Sequence, residues 1–269
     1  MSADPPRAGS LARRLTFLGT GTSTGVPVLG CDCPVCTSDD PRNQRTRPSV
    51  LLDLPAGRLL VDTTPELRLQ LLRERVGFAH AIAFTHAHAD HLFGLDDARL
   101  FPRAIGGPVP IYCEDHVEAS IRSIFSYAFH EHAARIPRGG VPQVEFVRIE
   151  PGREFRVLGQ AVMPIRLHHG RFQVLGFRVG DLAYCTDVNR IPDESWPLLE
   201  DLDVLILDAL RYEPHPTHFT LDEALATIDR LRPRVAYLTH LSHVFDHEAT
   251  EAALPSGVRL AYDGLSLEF

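Results

Sequence analysis

The chain contains no apolar run approaching the roughly 20 residues needed to cross a bilayer. Its opening stretch, Met1–Arg14, is Pro-rich and basic and has no apolar core of secretory-signal type, so no export signal is read there. A basic surplus is also missing: 27 Lys and Arg stand against 35 Asp and Glu, a net charge of −8, which is not the footprint of a general nucleic-acid binder. No low-complexity segment or internal repeat is visible, which removes repeat architectures. Cysteine is sparse, and the count of five is odd, which suits a reducing compartment better than a disulfide framework. These absences lead to an expected cytoplasmic protein, with neither membrane nor nucleic acid among its partners.

What is present reads as one large domain. A chain of 269 residues with 44% hydrophobic content can bury a full core. Residues 1–14 read as a flexible segment and residues 15–269 as a single domain. Short strand-like runs separated by turns, with helix-like segments at Asp115–His130 and Leu221–Leu231, predict a mixed α/β fold.

The densest chemistry lies in Thr85-His86-Ala87-His88-Ala89-Asp90-His91, four metal-ligand side chains in six residues directly after the apolar run Ala81–Phe84. If that run is a strand that continues through the motif, His86 and His88 share a face and reach one ion together. Asp90 and His91, where the chain must turn, then reach a second. Such a cluster is a costly coincidence without metal. Two ions about 3.5–4 Å apart clamp the attacking and leaving oxygens of a displacement and bring the pKa of a bound water toward ~7. Two sites need more donors, and three further apolar runs end in one: Val162–Leu167 before His168-His169, Leu182–Thr186 before Asp187, and Val235–Thr239 before His240. Either of the adjacent histidines 168 and 169 serves on this reading.

The succession HxHxDH, His, Asp, His resembles the metallo-β-lactamase superfamily, over nearly the whole chain. The resemblance implies a four-layer αβ/βα sandwich with a dimetal site along one edge of the sheets. It further implies that His86, His88 and His169 hold the first ion, that Asp90, His91 and His240 hold the second, and that Asp187 bridges them. Zinc, manganese and iron all suit such an all-His/Asp site.

A second constellation, Cys31-Asp32-Cys33-Pro34-Val35-Cys36, places three thiolates close together, as a tetrahedral structural zinc requires. Cys113 and Cys185 lie in apolar runs and read as buried thiols. His243, three residues after His240, is the better fourth ligand, and it would tie the structural zinc to the active site. A disulfide is disfavoured by compartment and a redox pair by spacing. This cluster, together with Leu18–Pro27 and Leu238–Asp246, is similar to the phosphoribosyl cyclic phosphodiesterases of the carbon–phosphorus lyase pathway. In that family the matching cysteines and histidine hold zinc. The pyrroloquinoline-quinone biosynthesis proteins share the cysteine signature but have an eroded HxHxDH motif, whereas every ligand is kept here.

The loop Gly19-Thr20-Gly21-Thr22-Ser23-Thr24-Gly25 does not have GxGxxG spacing, and Val26-Pro27 rather than a helix follows, so a dinucleotide site is not read. It is expected to wall the pocket, with backbone amides facing a phosphate. For general-acid work the candidate is His218, just before Leu221–Leu231, with His215 and Arg211 as substitutes; a histidine at the matching place has this role in the resembled family. Tyr127, His130, His132 and Arg135 are further candidates for substrate contact.

The expected activity is hydrolysis of a small phosphorylated substrate, a cyclic phosphodiester, by hydroxide held between two ions bridged by Asp187, with His218 assisting the leaving group. Thioester or lactone hydrolysis fits the same donors, and a non-catalytic carrier role in cofactor biosynthesis is the third reading. Subunit number has no sequence signal, and a homodimer stands as a guess.

Overall fold

The computed structural model describes residues 13–132 and 136–269. Strands β1 (Arg14–Gly19), β2 (Ser49–Leu54), β3 (Gly57–Val61), β4 (Ala81–Ala83), β5 (Val109–Cys113) and β6 (Val144–Arg148) form one mixed sheet. Strands β7 (Phe155–Val157), β8 (Gln160–His169), β9 (Phe172–Val179), β10 (Leu182–Cys185), β11 (Val204–Asp208), β12 (Val235–Thr239) and β13 (Val258–Leu260) form the second, and β14 (Ser266–Glu268) returns to pair with β1. Helices α1 (Leu67–Arg73), α2 (Ala89–Leu92), α3 (Phe101–Ile105) and α4 (Asp115–Ile124) accompany the first sheet, and α5 (Leu221–Leu231) and α6 (His247–Ala253) the second.

Alternation along the strands explains the layering. Leu15, Phe17, Val50, Leu52, Ala81, Ala83, Leu182, Tyr184, Val204 and Ile206 meet in a central cluster between the sheets. Leu18, Leu51 and Ile82 point the other way, into a cluster with Leu67, Leu71, Val117 and Ile121 of α1 and α4. Ala183, Cys185, Leu205 and Leu207 pack against Ala224 and Ile228 of α5. Three apolar clusters between four layers make an αβ/βα sandwich. Both sheets are covered on both faces, which is why their strands read as nearly unbroken apolar runs.

β3 to β6 are mutually parallel, as are β10 to β13. Parallel strands end on a common edge, and the residues just past them gather there. Several boundaries differ from the sequence reading. Arg14 is not part of a loose leader: it opens β1, and its guanidinium pairs with Asp53 at 2.7 Å. Of the proposed flexible segment, residues 1–12 lie outside the described residues. The predicted helix from Asp115 ends at Ile124, followed by a single turn at Ser126–Ala128. Of the apolar residues Ile124, Phe125 and Ala128, which at helical spacing read as a core-facing stripe, Phe125 and Ala128 are buried but Ile124 is exposed, because it falls on the outer side of α4 from Val117 and Ile121.

Among the described residues no helix is long and apolar enough to cross a membrane.

Candidate metal centre

β4 stops at Ala83, so His86 and His88 do not share a strand face as expected. They lie in the loop that follows, and Asp90 and His91 lie on the short α2. What orients them is Asp62, at the end of β3. This buried carboxylate accepts Thr85 N–H and the Thr85 hydroxyl, both at 2.8 Å, and the Nδ1–H of His91 at 2.7 Å. The Thr85 hydroxyl is thereby committed as a donor and accepts from His86 Nδ1 at 2.9 Å. Both rings are held by Nδ1, which leaves Nε2 as the donor atom, the usual support of a ligating histidine.

The other sheet completes the arrangement. His169, the last residue of β8, donates from Nδ1 to the Thr217 carbonyl at 2.7 Å. Asp187 and His240 follow β10 and β12 with φ of +55° and +60°, and Asp62 has +65°. Left-handed backbone at three non-glycine residues is costly, and it is characteristic of functional sites. The resulting donors fall into two groups, His86, His88 and His169, and Asp90, His91, Asp187 and His240, each with its ligand atoms within 4.8 Å of one another. Asp187 reaches across: its Oδ2 is 3.1 Å from His91 Nε2, and its Oδ1 is 3.4 Å from His240 Nε2 and 4.0 Å from His169 Nε2. His168 turns away and is half-buried, its backbone paired with Arg190, so the geometry selects His169.

Donor chemistry and satisfaction both fit cations. The buried Nε2 of His86 has no hydrogen-bond partner among the described residues, and an unsatisfied group of this kind costs about 1–3 kcal/mol. The Nε2 atoms of His91 and His240 make no aligned hydrogen bond either and face only carboxylate oxygens. The electrostatics agree. Burial pushes His91 down, but Asp187, Asp90 and Asp62 together outweigh it and lift the ring well above its ordinary value. His240 is likewise desolvated, yet the carboxylates, Asp187 foremost, raise it to about 9. Asp187 is held well below the usual carboxylate range, despite complete burial, by His240 and His91. The pocket is built for positive charge.

His218 joins the same cavity of about 310 Å³, which is also lined by Ser23, His88, Asp90, His169, Phe172, Asp187, His215, Thr217 and His240. Its Nδ1–H donates to Asp208 Oδ2 at 2.7 Å, and that oxygen also accepts Val188 N–H at 2.9 Å. Nε2 is the nitrogen left over. His215 lies close by, with ring centroids 5.2 Å apart, whereas the Arg211 guanidinium is spent on the carbonyls of Glu213 and Pro214, so Arg211 is no substitute acid. Tyr127 bonds Asp96, His130 and His132 are absent from the cavity lining, and Arg135 lies outside the described residues. Asp62 and Asp208 were missed in the sequence, although Leu59-Leu60-Val61-Asp62 and Leu205-Ile206-Leu207-Asp208 carry the same signal, an apolar run ending in a donor, that singled out Asp187.

The glycine-rich loop does wall the cavity, through Ser23, and it is stitched to the loop of His240 by Leu241 N–H to Thr20 O and Thr22 N–H to Leu241 O. The expected amide cradle is reduced, because Thr20, Gly21, Thr22 and Gly25 all donate within the protein.

The cysteine cluster closes as expected. Sγ of Cys31, Cys33 and Cys36 lie 3.2, 3.5 and 3.5 Å from His243 Nδ1, close to the roughly 3.5 Å edge of a tetrahedron with zinc-length bonds. The Cys36 N–H lowers the Cys33 thiol to about 6. Cys113 and Cys185 are buried thiols pushed up to about 12 by desolvation. Arg45, 1% exposed, connects the two centres by donating to the carbonyls of Ser242 and Phe245 and to Asn43 Oδ1.

Comparison with known proteins decides the family. The beta-lactamase superfamily domain matches residues 57–241. A crystal structure of a new diphosphatase from the PhnP family superposes with a TM-score of 0.88 and 44% identity, covering 96% of this chain and 97% of that one. The chain belongs to the PhnP family of the metallo-β-lactamase superfamily. A protein named octanoyltransferase from Porphyromonas gingivalis is 37% identical over 255 residues, but this chain spans only about half of its length, 51%. Zinc-bound PqqB from Methylobacterium extorquens, with a TM-score of 0.78 and 19% identity over 95% of this chain and all of that one, shares the fold. Membership of the PhnP family and the two donor clusters together support a metal-dependent hydrolase.

Proposed function

We propose that this PhnP-family protein hydrolyses a small phosphodiester, cyclic in its preferred form, at a two-ion centre. His86, His88 and His169 would hold one ion, Asp90, His91 and His240 the other, and Asp187 both; zinc and manganese are the preferred occupants, with iron third. When bound, the ions supply Lewis acidity toward the phosphoryl oxygens and a nucleophilic water at neutral pH. Cys31, Cys33, Cys36 and His243 would hold a structural zinc. The observation that carries the reading is the convergence of seven buried or half-buried donors in two groups, five of them lining one cavity, with a carboxylate-held histidine on the same cavity. Similarity to a PhnP-family diphosphatase supports phosphorus over carbon as the electrophile.

His218 would donate a proton to the departing oxygen, because Asp208 fixes its tautomer and leaves Nε2 toward the cavity. His218→Ala is expected to lower kcat about 10²–10⁴-fold for alkyl leaving groups, the usual contribution of a general acid. For p-nitrophenolate, which leaves without a proton, the loss should be small. Equal losses for both leaving groups would remove His218 from that role.

Similarity to the Porphyromonas protein motivates the rival acyl reading, that of thioester or lactone hydrolysis. The two are separated by assaying protein loaded with manganese or zinc on bis(p-nitrophenyl) phosphate, a five-membered cyclic phosphate, an octanoyl thioester and a lactone. Phosphodiester turnover is expected. Turnover of the thioester or lactone alone would overturn the proposal, and tight ligand binding without any hydrolysis would favour a carrier.

A further inference from the structure

The tip of the glycine-rich loop is open where the rest of the loop is closed. Residues Thr22–Gly25 form a turn shut by the Gly25 N–H, which donates to the Thr22 carbonyl at 2.8 Å. Around it the N–H groups of Thr20, Gly21, Thr22 and Val26 donate to Asp263, Thr46, Leu241 and Arg45. Ser23 and Thr24 are exposed, and their N–H groups have no acceptor among the described residues. Ser23 also lines the cavity at the His/Asp centre. A backbone N–H left open beside a cation-binding cavity is a donor for an anionic oxygen.

The tip is fixed from below. The loop backbone lies directly on the segment that follows the cysteine cluster, since a Cβ at Gly21 would fall 2.7 Å from the Arg45 carbonyl oxygen. Arg47 donates from Nε to the Ser23 carbonyl at 2.9 Å, and its guanidinium pairs with Glu66. Asp263 clamps loop and segment together. Its Oδ1 accepts the N–H and hydroxyl of Thr20 at 2.9 and 2.8 Å. Its Oδ2 accepts the N–H and hydroxyl of Thr46 at 2.9 and 2.6 Å, and Arg73 Nη1 at 3.1 Å. The side chain is 5% exposed, and a carboxylate so buried is tolerable only when it is hydrogen-bonded in this way. Asp263 lies between β13 and β14, where the chain crosses from the second sheet to the first, so the clamp refers the loop to both sheets.

We propose that the Ser23 N–H, helped by the Ser23 hydroxyl, donates to a non-bridging phosphoryl oxygen of the substrate, and that Asp263 is the positioning residue that holds it there. The inference rests on the phosphodiester reading above. A rigid donor needs no reorganisation as charge develops on that oxygen, so it acts on kcat.

Ser23→Pro deletes the N–H at the second position of the turn, where proline is a favoured residue and where Ser23 has no positive φ. On a five-membered cyclic phosphate it is expected to lower kcat about 10²–10³-fold, the cost of removing one such donor. Ser23→Ala, which keeps the N–H, should lose about 2–10-fold. Asp263→Asn should lower kcat in the wild-type background and hardly further in Ser23→Pro, whereas a merely structural residue lowers both alike. Wild-type turnover in Ser23→Pro, or equal losses from Asp263→Asn in both backgrounds, would overturn the proposal. Where either variant loses its fold, Arg47→Met is read in its place, because it frees the Ser23 carbonyl and leaves the loop sequence intact: a lowered kcat supports the proposal and a wild-type kcat overturns it. If the wild type hydrolyses no phosphodiester, that reading fails by itself. The donor is then decided by titration calorimetry of metal-loaded protein with inorganic phosphate. A Kd raised about 10- to 150-fold in Ser23→Pro, the worth of one hydrogen bond to a charged group, supports it, and an unchanged Kd overturns it.

Discussion

Asp187→Asn is expected to reduce turnover on the order of 10³-fold or more, at least the loss that follows removal of one preorganised electrostatic group from an active site. The substitution is nearly isosteric, so the buried left-handed turn at this position is retained while the charge that faces His91, His240 and His169 is lost. Both donor groups depend on that charge. Metal analysis should therefore show fewer ions in the His/Asp centre and undiminished zinc in the cysteine cluster, which shares no ligand with it. Asp90→Ala and His91→Ala should behave alike, because each removes a donor from the second group. Full turnover in these variants would sink the two-ion reading, whereas loss of all bound metal, the cysteine zinc included, would point to unfolding instead.

The second large effect belongs to the cysteine cluster. Cys36→Ser or His243→Ala should remove one zinc and lower Tm by about 5–10 °C. That shift corresponds to realising only about 3 kcal/mol of the roughly 10–16 kcal/mol that zinc binding supplies to small zinc-dependent folds, with a few degrees lost per kcal/mol in a chain of this size. Activity should also fall by about 10–100-fold, the usual cost of disturbing residues that support a metal ligand. The route is visible: His243 lies three residues from His240, Arg45 grips the carbonyls of Ser242 and Phe245 in the same loop, and Leu241 hydrogen-bonds the glycine-rich loop that carries Ser23. A variant with unchanged metal content and unchanged Tm would show that these four side chains hold no ion. All five cysteines are free thiols, so no disulfide competes for this role.

Much of the centre was legible because its donors follow apolar runs, and an apolar run of four to six residues between turns can be recognised from local composition alone. His86, His88, Asp90, His91, Asp187 and His240 follow this rule. Asp62 and Asp208 follow it too, and were passed over because a lone aspartate at a strand end is ordinary until its partner is known; their partners, His91 and His218, lie 29 and 10 residues away. The error over His86 and His88 has a different cause. The expected strand continued through the motif, whereas β4 ends at Ala83 and the chain turns so that Thr85 can donate to Asp62, a contact between segments that no local pattern reports.

By itself the sequence determined the residue types that bind cations, their order along the chain, the apolar runs that become strands, and the thiolate cluster, since each follows from side-chain chemistry and local composition. Tertiary structure decided which histidine of the pair 168–169 faces the centre, because the pleat and the β8–β9 hairpin register send only one of two neighbouring side chains inward. It also set each imidazole's orientation through Asp62, Thr217 and Asp208, committed most of the glycine-rich loop's amides to protein partners, and placed Phe172 beside His88. These outcomes depend on contacts between segments far apart in the chain. Such contacts exist only once the two sheets pack and their parallel strand ends come to a common edge.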